Sequence, residues 1–310
     1  MAFRLFSNQH DEMMHMTLTA AERNDARLLI QQALTEDLGD CGDLTSLSMI
    51  AEDVAAEVNI MARQPGIVAG VAVAELVFEI FDAAVDVSVH IQDGGKLQAG
   101  DVVATVSGKT RSLLSGERTA LNFLTHLSGI ATLTSQFVEL AAGTNAKILD
   151  TRKTLPAYRL LQKYAVRCGG GTNHRIGLFD GILIKDNHLA AWAESSDKVA
   201  DAVRAARSFA KAGGHDVPIE IEVDTLEQFA DAMKGEPDIV LLDNMTLDQL
   251  RQAVSMRNES SPGILLEASG GVNLQTIQSI AETEVDRISV GALTHSAIAL
   301  DLAFDWKAAL

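Results

Sequence analysis

The chain has 310 residues, 47% hydrophobic and 22% charged, with Gly and Pro not in excess, which suits about two globular domains and excludes a disordered or fibrous protein. With 42 acidic residues against 25 Lys and Arg the formal charge is −17, so no basic stripe is available to displace counterions from a nucleic acid. Only Cys41 and Cys168 occur, without zinc-type spacing; no apolar run approaches a membrane span, and the start lacks a signal-peptide core, so a cytoplasmic protein without a structural metal or a membrane partner is expected.

Residues 1–18 show no periodicity and are expected to form a loose extension. Thr19-Ala-Ala-Glu22 is a capping-box pattern, and Leu28, Leu29, Ala33 and Leu34 follow at helical spacing, which predicts a helix from Ala20 to Glu36. After the turn-rich DLGDCGDLTS, the alternating segments AEVNIMA, GIVAGV, VDVSVHI and VVATVSG read as strands, with one helix over about 72–81. Between them, Asp93-Gly-Gly-Lys-Leu-Gln-Ala-Gly-Asp101 is similar to the turn of biotinyl and lipoyl carriers. A plain glycine-rich hairpin explains the same glycines, and Lys96 need not be modified.

From Gly116 the apolar residues recur at i, i+3, i+4 and i+7, the spacing of a helix. Apolar strands at about 146–150, 182–185, 218–223, 238–242, 263–268 and 287–290 then alternate with amphipathic helices, the signature of a parallel sheet. Six such units in a row favour a barrel over an open sheet. In a barrel, functional side chains sit where strands emerge at their carboxyl ends. Here those exits carry Asp150-Thr-Arg152-Lys153, Lys185-Asp-Asn-His188, Glu220 and Glu222, Asp243-Asn244, Ser269-Gly270-Gly271, and Ser289 with Gly291.

The chemistry of these groups divides by type. Arg152, Lys153, His174, Arg175 and Lys185 can bind carboxylates and phosphates. Glu222 and Asp243 can hold Mg²⁺, which takes a few carboxylates plus substrate phosphate oxygens. Ser269-Gly270-Gly271-Val272-Asn273 is expected to open a helix whose backbone N–H groups hold a terminal phosphate, with Gly291 facing it. Each has a bland alternative. Lys185 can merely snorkel, His174 can be structural, and Cys168 can be a packed hydrophobe beside a glycine run that caps a helix as readily as it binds an anion. Those alternatives would have to hold at every strand end at once.

With these residues placed, the chain closely resembles the quinolinate phosphoribosyltransferase family, the decarboxylating nicotinate-nucleotide pyrophosphorylases. The motifs are Glu117-Arg118-Thr-Ala-Leu-Asn, Asp150-Thr-Arg-Lys-Thr154, Gly169-Gly-Gly-Thr-Asn-His174-Arg175, Ile184-Lys185-Asp-Asn-His188, Glu220-Ile-Glu222-Val, Leu241-Leu-Asp243-Asn244, Ser269-Gly-Gly271 and Ser289-Val-Gly291-Ala. The resemblance implies an α/β protein: an N-terminal α/β sandwich over 19–127, completed by 293–310, and an incomplete, seven-stranded α/β barrel over 128–292. Six barrel strands are legible, and the seventh is expected in the segment after Gly116.

By the same resemblance, Arg118, Arg152, His174, Arg175 and Lys185 match quinolinate-binding positions. Lys153 matches a position serving phosphoribosyl pyrophosphate, Glu222 and Asp243 the magnesium and ribose positions, and Ser269, Gly270, Gly271 and Gly291 the 5′-phosphate loops. Lys153, Lys185, Glu222 and Asp243 are the expected catalytic residues, Mg²⁺ is the expected cofactor, and a homodimer with Arg118 entering the neighbouring site is the expected assembly. Ala157 stands where Gly is common after the Pro, and Met245 where Phe is common. Two enzymatic rivals share the barrel reading: a nicotinate phosphoribosyltransferase without decarboxylation, and a Schiff-base aldolase using Lys185. A carrier or ligand-binding module around Lys96 is a third reading, which leaves Glu222, Asp243 and the barrel cations unexplained.

Overall fold

The computed structural model describes residues 17–192 and 198–306. Residues 1–16 of the expected extension, and 307–310, lie outside the described residues. The chain forms two compact units that alternate along the sequence. One takes the residues up to Ser135, Leu155–Gly170 and the stretch from Ser296; the other takes Gln136–Thr154 and Gly171–His295.

The first unit opens with α1 (Ala20–Leu38), begun by its capping box: Thr19 Oγ1 accepts the Glu22 N–H at 3.3 Å, and Glu22 accepts the Thr19 N–H at 2.8 Å. The short α2 (Leu44–Met49) lies in the segment read as a turn, because Asp43 caps it and nucleates a single helical stretch there. Then come β1 (Ala55–Ala62), β2 (Gly66–Ile67), α3 (Val71–Phe81), β3 (Asp86–Val89), β4 (Lys96–Leu97) and β5 (Val102–Lys109). The glycine-rich segment is two turns flanking β4 and not the expected hairpin: β4 pairs antiparallel with β2, from which α3 and β3 separate it in the chain, and Gly94 and Gly100 take left-handed φ values of 86° and 96°. Asp93 at its start is buried and accepts the Val71 N–H at 2.9 Å and the Tyr164 hydroxyl at 2.6 Å. It thereby satisfies the start of α3, where Gly70 has no side chain to cap it.

α4 (Thr110–Leu140) starts six residues before the expected onset at Gly116. Glu117 and Arg118 therefore lie inside a helix and do not open one. The same element removes the expectation of a seventh strand after Gly116, since its apolar spacing is helical throughout. β6 (Lys147–Leu149) begins the second unit, after which α5 (Arg159–Cys168) belongs again to the first, where it packs on α1 and Arg167 meets Glu22 at 2.8 Å. Gly169 ends α5 as its C-cap, and a Cβ there would collide with the Ala131 carbonyl of α4. The glycine run after the buried Cys168 is thus a cap and a close backbone approach.

The second unit continues with β7 (Ile182–Ile184), α6 (Asp186–Ala191), α7 (Lys198–Gly213), β8 (Ile219–Val223), α8 (Leu226–Met233), β9 (Ile239–Asp243), α9 (Leu247–Ser260), β10 (Leu265–Ser269), α10 (Ile277–Ala281), β11 (Arg287–Ser289) and α11 (Ala292–His295). The six strands lie in the order β6-β11-β10-β9-β8-β7, every pair parallel. A seventh position exists only as one parallel bridge, Leu149 to Thr172, on the free side of β6. Among the described residues no pairing joins β7 to Thr172, so the sheet is an unclosed barrel. β12 (Leu302–Trp306) returns to the first unit and completes its antiparallel sheet in the order β12-β1-β5-β3.

Strand periodicity decides which residues can act. In β8 the alternation Ile-Glu-Ile-Glu-Val buries Ile219, Ile221 and Val223 on the side covered by α7 and α8. Glu220 and Glu222 point the other way. The parallel register carries this face across the sheet: Leu183 pairs with Glu220, Leu241 with Glu222 and Glu267, Asp243 with Ser269, and Glu267 with Arg287. On the opposite face Val240, Leu266 and Ile288 are fully buried, each contributing roughly 1.5–3 kcal/mol relative to exposure. The apolar face holds the sheet; the polar face is free to carry chemistry.

Candidate active site

The polar face opens into a cavity of about 440 Å³ formed within the second unit. Five cationic side chains line it: Arg152 and Lys153 after β6, His174 and Arg175 before β7, and Lys185 directly after β7. Opposite stand Glu222, Asp243, Glu267, Ser269 and Ser289 from the ends of β8 to β11. The expected cations, carboxylates and Ser269 are thus brought to one place, and Gly270 and Gly271 follow Ser269 directly. Gly291 abuts Lys153, where a Cβ would lie 3.1 Å from the lysine stem. Arg118 is different: it lines a separate cavity of about 320 Å³ within the first unit, with Asn122, His126 and Tyr158.

Local hydrogen bonds fix the cationic loop. Asp150, fully buried after β6, accepts the His174 N–H at 2.9 Å and the Asn173 amide at 2.7 Å, which ties the segment before β7 to the end of β6. Arg175 donates to the Gly181 carbonyl at 2.8 Å. Burial, and then the charge of Arg152, push the Arg175 guanidinium below its ordinary range. Arg152 Nε is itself buried without a hydrogen-bond partner. Two guanidinium groups held near one another, one with an unused donor, form a site preorganised for an anion. Lys185 forms an ion pair with Glu222, and His188, in the first turn of α6, accepts the Lys185 N–H through its Nδ1 at 2.9 Å.

The turn at Ser269-Gly270-Gly271 differs in detail from its expectation. Ser269-Gly270-Gly271 does not open a helix; α10 begins only at Ile277, because Asn273 first captures the Gln275 and Thr276 N–H groups in a turn of its own. Gly270 and Gly271 take φ values of 93° and 60°, so the loop can offer backbone N–H groups from glycine geometry and not from a helix start. Asn244 takes a left-handed φ of 53°, and its N–H bonds the Ser269 carbonyl at 2.9 Å. Its side chain fills the space a Cβ on Gly270 would need.

Beneath the mouth lies a cluster that the strand pattern alone did not single out. His174 Nε2 lies 3.1 Å from Glu220 and 3.4 Å from Glu267, and its Nδ1 accepts the Arg175 N–H at 2.8 Å. Burial opposes the imidazolium and the two carboxylates favour it, raising the His174 pKa to about 9, whereas the Arg175 N–H aimed at Nδ1 favours the neutral ring with its proton on Nε2. Arg287 donates to Glu267 at 2.7 Å, and His174 with Arg287 holds the buried Glu267 carboxyl low against its desolvation. The donor atoms of His174, Glu220 and Glu267 lie within 4.8 Å of one another, a spacing a metal could bridge. Arg287 and His174 already balance both carboxylates, so the trio reads as an ion-pair cluster. Glu222 and Asp243, hard oxygen donors facing open space, are the better fit for Mg²⁺. The available signal for Glu267 was an acid inside an otherwise apolar strand, Leu265-Leu-Glu-Ala268.

A parallel α/β sheet that gathers cations and carboxylates at its strand ends around a glycine turn suits a phosphoribosyltransferase-type enzyme. The family models of quinolinate phosphoribosyl transferase match it in both parts, the N-terminal domain over residues 43–128 and the C-terminal domain over residues 130–305. The carboxylating nicotinate-nucleotide pyrophosphorylase of Mycobacterium leprae is 46% identical over 290 residues, covering 93% of this chain and 99% of that protein. A probable enzyme of the same name from Bacillus subtilis is 42% identical over 277 residues, covering 89% and 92%. The solved nicotinate-nucleotide pyrophosphorylase of Francisella tularensis superposes with a TM-score of 0.85 at 37% identity, covering 94% of this chain and 98% of that one. The chain belongs to the quinolinate phosphoribosyltransferase family.

Proposed function

We propose that this protein transfers phosphoribosyl from phosphoribosyl pyrophosphate to quinolinate with decarboxylation, giving nicotinate mononucleotide, pyrophosphate and CO₂ in de novo NAD biosynthesis. The observation that carries the reading is the single cavity in which Arg152, Lys153, Arg175 and Lys185 face Glu222, Asp243 and Ser269. Arg152 and Arg175 orient the two carboxylates of quinolinate. Ser269, Gly270, Gly271 and Gly291 receive the 5′-phosphate, and Lys153 offsets charge on the departing pyrophosphate. Magnesium, held by Glu222 and Asp243 partly through water or substrate oxygens, would add positive charge at the same place.

The ring nitrogen bonds to the anomeric carbon as the bond to pyrophosphate breaks, with cationic character on the sugar. The carboxylate beside that nitrogen then leaves as CO₂, and the carbon it leaves takes up a proton. The chain's own part in this second step is to hold the carboxylate and keep competing water away. An aldolase reading has less support: a Schiff-base lysine is activated by desolvation or by another cation, whereas the Lys185 side chain is 41% exposed and paired with Glu222.

The protein is proposed to work in the cytoplasm, where its free Cys41 and Cys168 stay reduced, and as a homodimer in which Arg118 enters the partner's site. Arg118→Ala and Lys185→Ala proteins, each nearly inactive, should then recover up to about half of wild-type activity per mixed dimer once subunits exchange. The test of the reaction is to incubate the protein with Mg²⁺, phosphoribosyl pyrophosphate and either quinolinate or nicotinate, and to measure mononucleotide and CO₂. Nicotinate should be used at least about 10²-fold less well, because one cation would be left buried and unpaired. Comparable use of both acids would favour the relative that does not decarboxylate.

A further inference from the structure

We infer that Thr294 is a positioning residue for Lys153: its hydroxyl fixes the lysine's backbone so that the ammonium is aimed at the departing pyrophosphate. The inference rests on the proposed reading of the cavity as a site of phosphoribosyl transfer. Lys153 lines that cavity and is exposed at its mouth. Among the described residues its ammonium forms no ion pair, whereas Lys185 is held by Glu222. A lysine head on a flexible four-carbon stem, with nothing to pull on it, points where its backbone and its packing send it. The aim of Lys153 is therefore set from behind.

The backbone behind it is held at both ends. The Lys153 N–H donates to Thr151 Oγ1 at 3.0 Å, and the Thr154 N–H returns to the Arg152 carbonyl at 2.9 Å, which folds residues 151–154 into a tight turn beyond β6. The Lys153 carbonyl accepts the Thr294 hydroxyl at 2.8 Å. The stem then passes Gly291, where a Cβ would lie 3.1 Å from the Lys153 Cδ. Thr294 reaches this carbonyl from α11, whose start is placed by the sheet: Ser289 of β11 pairs with Leu149 of β6, and the Val290 N–H donates to the Leu149 carbonyl at 2.8 Å. Past that point one chain turns and the other becomes helical, and the Thr294 hydroxyl joins them again. The same hydroxyl lies 3.3 Å from the Gly291 carbonyl in the turn before it. A threonine serving only its own helix would make that bond the short one, and here the shorter contact goes to Lys153. Thr294 is buried and does not line the cavity, so it can act on a substrate only through Lys153. Because Gly291 is proposed to receive the 5′-phosphate and Lys153 to face the pyrophosphate, this contact sets the spacing between the two ends of one substrate.

The test uses the full chain with Thr294→Val, which keeps shape and removes the hydroxyl, and Thr294→Ser, which returns it. Lys153→Ala is made alone and together with Thr294→Val. Kinetics for each substrate are read per folded molecule, beside calorimetric titration with inorganic pyrophosphate and Mg²⁺. Thr294→Val should lower kcat/KM for phosphoribosyl pyrophosphate about tenfold, while the KM for quinolinate stays within about twofold. Thr294→Ser should recover to within about threefold of the wild type. In the Lys153→Ala background the valine change should cost less than about twofold, because the group through which it acts is gone. An equal cost in both backgrounds would overturn the inference, since a merely structural threonine behaves that way. So would full kcat/KM in folded Thr294→Val, or a serine variant as slow as the valine one. If Thr294→Val fails to fold, Thr294→Ala takes its place in the same comparison. A wild type that makes no product from quinolinate would remove the functional reading, and the pyrophosphate titration would then decide the role of Thr294. Affinity should fall about fivefold in Thr294→Val and further in Lys153→Ala. Equal affinity in the wild type and Thr294→Val, or no binding by the wild type, would overturn the inference.

Discussion

Asp93 in the first unit and His174 in the second are both buried ionisable side chains held by several hydrogen bonds, and they serve opposite ends. Asp93 is engaged by uncharged groups, the N–H groups at the start of α3 and the Tyr164 hydroxyl, and burial raises its pKa against those bonds. His174 is engaged by two carboxylates, of which Glu267 also meets Arg287, and it borders open space. Burial and a perturbed pKa are common to both, so neither marks function. The distinguishing features are the charge of the partners and the access of a ligand.

Activity and stability should therefore separate between the two units. The largest effect expected is at the mouth of the cavity: Lys153→Ala should lower kcat/KM by about 10²–10³-fold and leave the melting temperature within about 2 °C. Steady-state kinetics and thermal melts check this, and a large loss of stability would place Lys153 in the framework. Asp93→Ala should do the reverse. It strands several buried donors, so urea unfolding should show a loss of about 3 kcal/mol while kcat/KM per folded molecule stays within about twofold. Lost activity in a fully stable Asp93→Ala protein would break the contrast.

A smaller effect follows from pH. Against burial, Glu220 and Glu267 raise the His174 pKa from 6.5 to about 9, while the Arg175 N–H aimed at Nδ1 opposes the charged ring; where the carboxylates win, the stabilisation from the imidazolium is complete below about pH 6.5 and is lost as pH rises through about 9. Melting temperatures between pH 6 and 10 should fall by a few degrees more in the wild type than in His174→Asn. Parallel curves would mean that the ring is not held charged. The smallest effect is expected outside both clusters, at Ala157, whose φ of 59° is a left-handed value that glycine adopts without strain. Ala157→Gly should stabilise the protein by about 0.5 kcal/mol or slightly more without altering the rate, as denaturant midpoints will show.

Much of this arrangement is legible in the sequence because periodicity is a local property. Thr19 and Glu22 announce α1, the six apolar runs announce six parallel strands, and their polar exits announce the cavity. What escapes is information carried by residues distant in the chain. Glu267 meets His174 and Arg287 only through the register of β10 with its neighbours, and nothing within Leu265-Leu-Glu-Ala268 tells an acid at a site from an acid at a strand edge. The helix expected at Ser269-Gly270-Gly271 was misplaced for a different reason. Asn273 competes for the backbone N–H groups that would have started it, and that competition depends on side-chain geometry within a single turn. The membership of α5 in the first unit, in the middle of the second unit's sequence, was hidden because chain order says nothing about which surface a helix covers.

The fit of Asn244 against Gly270 has a consequence for how such sequences diverge. Because the amide of one occupies the space that any side chain on the other would need, positions 244 and 270 form one unit of inheritance. A lineage that acquires a side chain at 270 must first shrink or move the residue at 244, and both positions lie in backbone conformations that few residues tolerate. The pair is therefore a mutational dead end in single steps, so the turn that follows Asp243 and the turn that follows Ser269 should drift together or not at all.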